Sequence, residues 1–161
     1  MIDATILGQA EHVLAACRAA GLRIATAESC TGGLVAATLT AIAGSSDVLE
    51  RGFVTYSNAA KTELLGVPAE LIAAEGAVSE AVAQRMAEGA LVHSAADVCV
   101  AVTGIAGPGG GTENKPVGLV WFGLARRGAA TTTLRQVFPG DRAAVRRAAV
   151  AQALALLRAA T

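Results

Sequence analysis

Aromatic side chains are scarce in this sequence, with three Phe, one Tyr and one Trp among 161 residues. Alanine and glycine stand in their place, so helices can lie close to strands and backbone can approach a ligand closely, which suits a small-molecule pocket better than a large interface. Net charge is also lacking. Thirteen Lys plus Arg balance thirteen Asp plus Glu, so no global field draws in nucleic acid or an anionic membrane. Only two histidines occur, His12 and His93, and neither adjoins a nucleophile or falls in a metal-binding pattern, which argues against a Ser-His-Asp triad and a His-based metal site. The three cysteines form neither a disulfide framework nor a CxxC pair. Cys17 and Cys99 read as buried thiols of a reducing compartment. No apolar run reaches transmembrane length, and the start Met1-Ile2-Asp3-Ala4 lacks a basic segment followed by an apolar one, so cytoplasmic residence is expected.

What is present is a hydrophobic fraction of 53%, enough to pack elements on both faces of a sheet within one domain spanning 1–161. Ile6, Ala10, Val13, Leu14 and Cys17 recur at helical spacing and predict a helix over about 4–19, stopped by Gly21. Arg23 to Ala27 predicts a short buried strand that feeds Ser29-Cys30-Thr31-Gly32-Gly33 and a second helix through about Ala43. Val48 to Tyr56 predicts a strand, followed by a short helix capped at Asn58 and ended at Gly66. Pro68 to Ala74 adds a turn or two. Ser79 caps a longer helix with Val82, Met86, Ala90 and His93 on one face. Asp97 to Thr103 is the most apolar strand. Val117 to Ala125 and Thr131 to Phe138 predict a hairpin around Arg127-Gly128, and Asp141 opens a last helix to about Ala160. Strands alternating with helices and then a hairpin predict a three-layer α/β/α fold with a mixed sheet.

Ser29 lies between a buried strand and a helix whose opening holds two glycines, where unpaired amides and a helix dipole would favour a developing oxyanion. The same spacing also fits a plain helix cap with packing glycines. Lys61 falls in the first turn of a helix, a position that disfavours a cation. The same positive helix end, with partial burial, would lower its pKa and supply a neutral amine as general base or proton shuttle, whereas an exposed Lys would point away. Tyr56, the one tyrosine, ends a strand just upstream, suited to relaying a proton, orienting a ring or packing in the core. The glycine-rich loop after Thr103 could cradle a phosphate with its amides, yet it lacks the endings of ATP or dinucleotide loops. Thr103 stands at a strand's carboxyl end, where open α/β sheets bind ligands. Arg142 shares a helix side with Val145, Ala149 and Leu156, which makes it a candidate phosphate or carboxylate clamp, an ion pair at the sheet edge being the alternative. The other late arginines, Arg146 among them, read as a solvated face.

Three segments in order, Ala27-Glu28-Ser29-Cys30-Thr31-Gly32-Gly33, Tyr56-Ser57-Asn58-Ala59-Ala60-Lys61 and Thr103-Gly104-Ile105-Ala106-Gly107-Pro108-Gly109-Gly110-Gly111-Thr112, resemble the CinA C-terminal domain family. Ala77-Val78-Ser79, Lys115-Pro116-Val117-Gly118 and Gly140-Asp141-Arg142 extend the likeness over nearly the whole chain. The resemblance implies the family's α/β/α fold, frequent homo-oligomers, and hydrolysis of nicotinamide mononucleotide to nicotinic acid mononucleotide and ammonia without metal or cofactor. It implies Ser29 as nucleophile, Lys61 as its activating partner and Tyr56 nearby. Thr31, Gly32, Gly33, Thr103, Gly104, Gly107, Gly109 and Arg142 would bind the substrate. Longer family members carry a molybdopterin-binding-like domain ahead of this one, which is not expected here. Two rival expectations are Cys30 as the nucleophile and a module that binds a pyridine nucleotide without turning it over. The role of Glu28 is open.

Overall fold

The computed structural model describes residues 2–161. Asp3 accepts the Ile6 N–H and starts helix α1 (Ala4–Ala20), and Gly21, at a φ of 69°, ends it. Strand β1 (Ile24–Glu28) follows, then α2 (Leu34–Thr40), a 3-10 turn at Ser45–Asp47, and β2 (Leu49–Val54). Helices α3 (Asn58–Leu65), α4 (Ala69–Glu75) and α5 (Glu80–Val92) come next. Strands β3 (Val98–Gly104), β4 (Leu119–Arg126) and β5 (Thr132–Val137) precede α6 (Arg142–Ala159), whose first turn is capped by Asp141.

The five strands order as β2-β1-β3-β4-β5. β1 pairs parallel with β2 and β3, and the β4–β5 hairpin is antiparallel, so the sheet is mixed as expected. The period of two along β3 divides the core. Val98, Val100 and Val102 pack with Ile24 under α1, α2 and α6, while Cys99 and Ala101 face α5 together with Ala25 and Ala27. These small residues let α5 lie directly on the sheet. At Gly123 in β4 an added Cβ would come within 2.4 Å of the Ala83 carbonyl oxygen.

From β1 the chain moves to one side through α2 and then back past β1 through α3, α4 and α5 to β3. Parallel crossovers keep one hand, so opposite directions of travel place these helices on opposite faces. The result is three layers, with β1 at the point where strand order reverses. Ligands of open α/β sheets bind outside the carboxyl ends of the strands at such a point. Ser29, Thr55 and Thr103 all stand there.

Several boundaries differ from expectation. α2 stops at Thr40 instead of Ala43, because the Ile42 N–H bonds back to Leu39 and Gly44 turns left-handed at a φ of 82°, which returns the chain to β2. β2 ends at Val54, since the carbonyls of Thr55 and Tyr56 turn towards Lys61. Ser57, not Asn58, caps α3 by accepting the Ala60 N–H. His93 is not packed on the inner face of α5. It is the exposed C-cap, with Nδ1 2.8 Å from the Gly89 carbonyl. Among the described residues, no helix is long and apolar enough to cross a membrane.

Candidate active site

Ser29 follows β1 without a break, and its N–H donates to the Val102 carbonyl of β3 at 2.9 Å. On the other side, the Glu28 carbonyl accepts the Thr55 N–H at 2.9 Å. The nucleophile candidate is therefore fixed by two neighbouring strands before its turn begins. Gly32 and Gly33 then take φ values of 58° and 101°, left-handed backbone that permits the reversal into α2.

Lys61 projects from α3 into the same place and is only 1% exposed. Its Nζ lies 3.0 Å from Ser29 Oγ and 2.8 Å from the Thr55 carbonyl, with the carbonyls of Tyr56 and Ser57 at 3.5 Å. Burial lowers the Lys61 pKa below its ordinary value, against an opposing pull from Cys30. Of the helix end and the partial burial that the sequence suggested, burial is the cause. A neutral amine has two N–H donors and one lone pair. Nζ donates to the Thr55 carbonyl and to Ser29 Oγ, and in the neutral form its lone pair can turn to the Ser29 hydroxyl instead.

Ser29 and Lys61 line a cleft of about 230 Å³ together with Cys30, Tyr56, Thr103, Gly104 and Arg142. Asn58, Ala77, Val78 and Ala106 complete its wall; they stand in the segments that carry the resemblance but were not singled out as site residues. A wider hollow of about 510 Å³ adjoins it, lined by Pro108, Val117, the start of α6 and Arg146. Ala106 and Arg142 border both. Arg142 donates to the Gly107 carbonyl at 2.9 Å and to the Tyr56 hydroxyl at 3.1 Å. Tyr56 is exposed, and its ring stands at the rim instead of in the core. The Thr103 hydroxyl donates to the Ala77 carbonyl at 2.9 Å, holding the wall opposite β1. Gly104 has no room for a side chain, since a Cβ would sit 2.9 Å from the Leu119 carbonyl and 3.1 Å from Cys30 Sγ. Gly107 is buried, whereas Gly109 is exposed in the loop and borders neither the cleft nor the hollow.

The turn after Ser29 is arranged differently from the expected anion hole at a helix end. Glu28 is fully buried and takes the first amides of α2, accepting Val35 N–H at 2.8 Å and Ala36 N–H at 3.1 Å. The side chain of Thr31 turns inward as well, donating to Glu28 at 2.7 Å, and the Gly32 N–H returns to the Ser29 carbonyl at 3.0 Å. Among the described residues, the amides of Cys30, Thr31 and Gly33 have no hydrogen-bond partner. Outside the turn, Arg146 donates Nε to the Cys30 carbonyl at 3.1 Å and Nη2 to the Thr31 carbonyl at 3.3 Å. The sequence reading placed Arg146 on a solvated face. Its position four residues beyond Arg142, on the same side of α6, was the available signal.

Cys30 lines the cleft, but burial pushes its thiol up to about 11, which suppresses the thiolate that a cysteine nucleophile needs. His12 lies between α1 and α6, and neither it nor His93 borders the cleft. Among the described residues, no three His, Cys, Asp or Glu side chains converge as a metal site would require.

The chain is 53% identical over 157 residues, 98% of its length and 95% of the relative's, to the nicotinamide-nucleotide amidohydrolase PncC of Escherichia coli K12. It is 58% identical over 139 residues to a CinA-like protein of Mycolicibacterium vanbaalenii, covering 86% of this chain and 33% of that longer protein. The crystal structure of the competence/damage inducible protein CihA from Agrobacterium tumefaciens superposes with a TM-score of 0.96 at 46% identity, covering 99% of this chain and 97% of that one. Residues 7–161 match the CinA C-terminal domain, and the chain belongs to that family.

Proposed function

We propose that this chain hydrolyses the carboxamide of nicotinamide mononucleotide to nicotinic acid mononucleotide and ammonia, with Ser29 as nucleophile and Lys61 as its base. The observation that carries the reading is the 3.0 Å approach of Lys61 Nζ to Ser29 Oγ at a lysine only 1% exposed. A module that only binds a nucleotide gains nothing from burying an amine beside a serine, an arrangement that costs solvation. The full-length likeness to a nicotinamide-nucleotide amidohydrolase supports the choice of substrate.

In this mechanism neutral Lys61 takes the Ser29 hydroxyl proton as Oγ attacks the carboxamide carbon. The unpaired amides of the turn, that of Cys30, which lines the cleft, and those of Thr31 and Gly33, are the donors available to the resulting oxyanion. Collapse of the tetrahedral species expels ammonia, which carries away the proton from Lys61 and leaves an ester on Ser29. Water then attacks the ester and gives a proton to Lys61, which returns it to the departing Ser29 oxygen. The sum is amide plus water giving acid plus ammonia. The carboxamide ring occupies the smaller cleft, and the ribose phosphate runs past Arg142 towards the hollow at the start of α6. Tyr56 and Arg142 fix each other at the mouth between them.

Ser29→Ala decides the matter. The variant is expected to keep the fold and to release no ammonia from nicotinamide mononucleotide. Full activity in the variant contradicts the mechanism, and a thermal shift without ammonia from the parent protein favours a sensing module instead.

A further inference from the structure

We infer that Glu28 is a positioning residue for the nucleophile: its buried carboxylate braces the Ser29 turn from within, through Thr31 and the first amides of α2. The inference rests on Ser29 being the nucleophile. Glu28 is 0% exposed, and a carboxylate so placed is tolerated only when its oxygens are fully engaged. Here all of its partners except one belong to the turn or to what the turn leads into. Oε1 accepts the Thr31 hydroxyl at 2.7 Å and the Val35 N–H at 2.8 Å, and Oε2 accepts the Ala36 N–H at 3.1 Å. The exception is Thr26 of its own strand, 3.4 Å from Oε2. No cation among the described residues pairs with it.

The turn needs such a brace for a reason visible in its composition. Gly32 and Gly33 give it two residues of wide conformational freedom, and Gly33, the N-cap of α2, has no side chain with which to cap the helix. Glu28 supplies that cap from before the turn, so residues 28 and 35 are tied across it and the reactive Ser29 lies inside the tie. Arg146 closes the outer side on the carbonyls of Cys30 and Thr31. What the brace protects is the 3.0 Å alignment of Ser29 Oγ with Lys61 Nζ, since misplacement by about 1 Å costs a reaction on the order of 10²-fold. The Thr31 hydroxyl accordingly acts through Glu28 and not on the substrate.

Two variants test this. Glu28→Gln keeps the shape but turns an NH₂ group towards donors, and Thr31→Val removes the hydroxyl that Glu28 accepts. Glu28→Gln is expected to lower kcat on nicotinamide mononucleotide by about 10²-fold, and Thr31→Val by roughly tenfold, both with KM within about threefold of the parent. A folded Glu28→Gln protein with parental kcat, or a Thr31→Val loss expressed mainly in KM, overturns the inference. Should Glu28→Gln fail to fold, Thr31→Val alone decides, and parental kcat in that variant overturns the brace. Labelling of Ser29 by phenylmethanesulfonyl fluoride, followed by mass spectrometry, separates this from the substrate assignment because it needs no amide. If the parent releases no ammonia, slower labelling of Ser29 in Thr31→Val still supports the brace, and an unchanged labelling rate overturns it.

Discussion

At the residue scale the account turns on one buried amine. Lys61 is among the largest fully buried side chains of the protein, and its burial lowers its pKa. Below that pKa the ammonium has no lone pair for Ser29, and above it the amine is competent. The proposed reaction therefore speeds up as pH rises, and the limb of kcat/KM against pH falls at a pH below the ordinary lysine value of 10.5. A profile flat from neutral to alkaline pH would argue against Lys61 as base. Lys61→Met is expected to reduce kcat by about 10³-fold in an ammonia-release assay, the usual worth of a general base. Cys30→Ala, by contrast, should leave kcat within about threefold, because a thiol held near 11 is protonated at working pH. Ser29 and Lys61 were legible in the sequence as a serine at a strand-to-helix turn and a cation where helices disfavour one. Glu28 was not, and Arg146 only through its spacing from Arg142, since the partners that give them meaning are amides and carbonyls that only the folded turn brings within reach.

At the element scale the site depends on how α3 is seated. Ser57 caps it, Leu65 anchors it, and α5 presses against its end so closely that a Cβ at Gly89 would lie 1.9 Å from the Leu65 carbonyl oxygen. Gly89→Ala is expected to destabilise the protein by about 1–3 kcal/mol, as overpacking does, in a denaturant titration. Because α3 carries Lys61, kcat should fall in the same variant. Unchanged stability would show that α3 and α5 have slack. Most elements were readable from local pattern: the stripe of α1, the starts at Ser79 and Asp141, and the β4–β5 hairpin. The misreadings fall where tertiary demands override local pattern. β-rich residues run on to Tyr56, yet the strand ends at Val54 because the next carbonyls serve Lys61. α2 is shortened by the return to β2.

At the scale of the whole molecule, strand order puts the reacting groups together. β1 has parallel neighbours on both sides, and their carboxyl ends deliver Ser29, the Thr55 to Lys61 segment and Thr103 to one cleft. The alternation of strands and helices made this layering legible, whereas the joining of cleft and hollow through Ala106 and Arg142 arises from loops whose paths no periodicity encodes. Nicotinamide mononucleotide at 100 times its Kd is expected to raise the Tm of the Ser29→Ala protein by about 5–10 °C, since ligand at that level adds about 2.7 kcal/mol. No shift would show that the folded protein does not bind the nucleotide. The most direct measurement of the central claim is acid quenching of the parent protein during turnover, followed by mass spectrometry of the peptide holding Ser29 and Cys30. The account predicts an acyl group of nicotinic acid mononucleotide esterified to Ser29 and absent from Ser29→Ala. An adduct on Cys30 would contradict it.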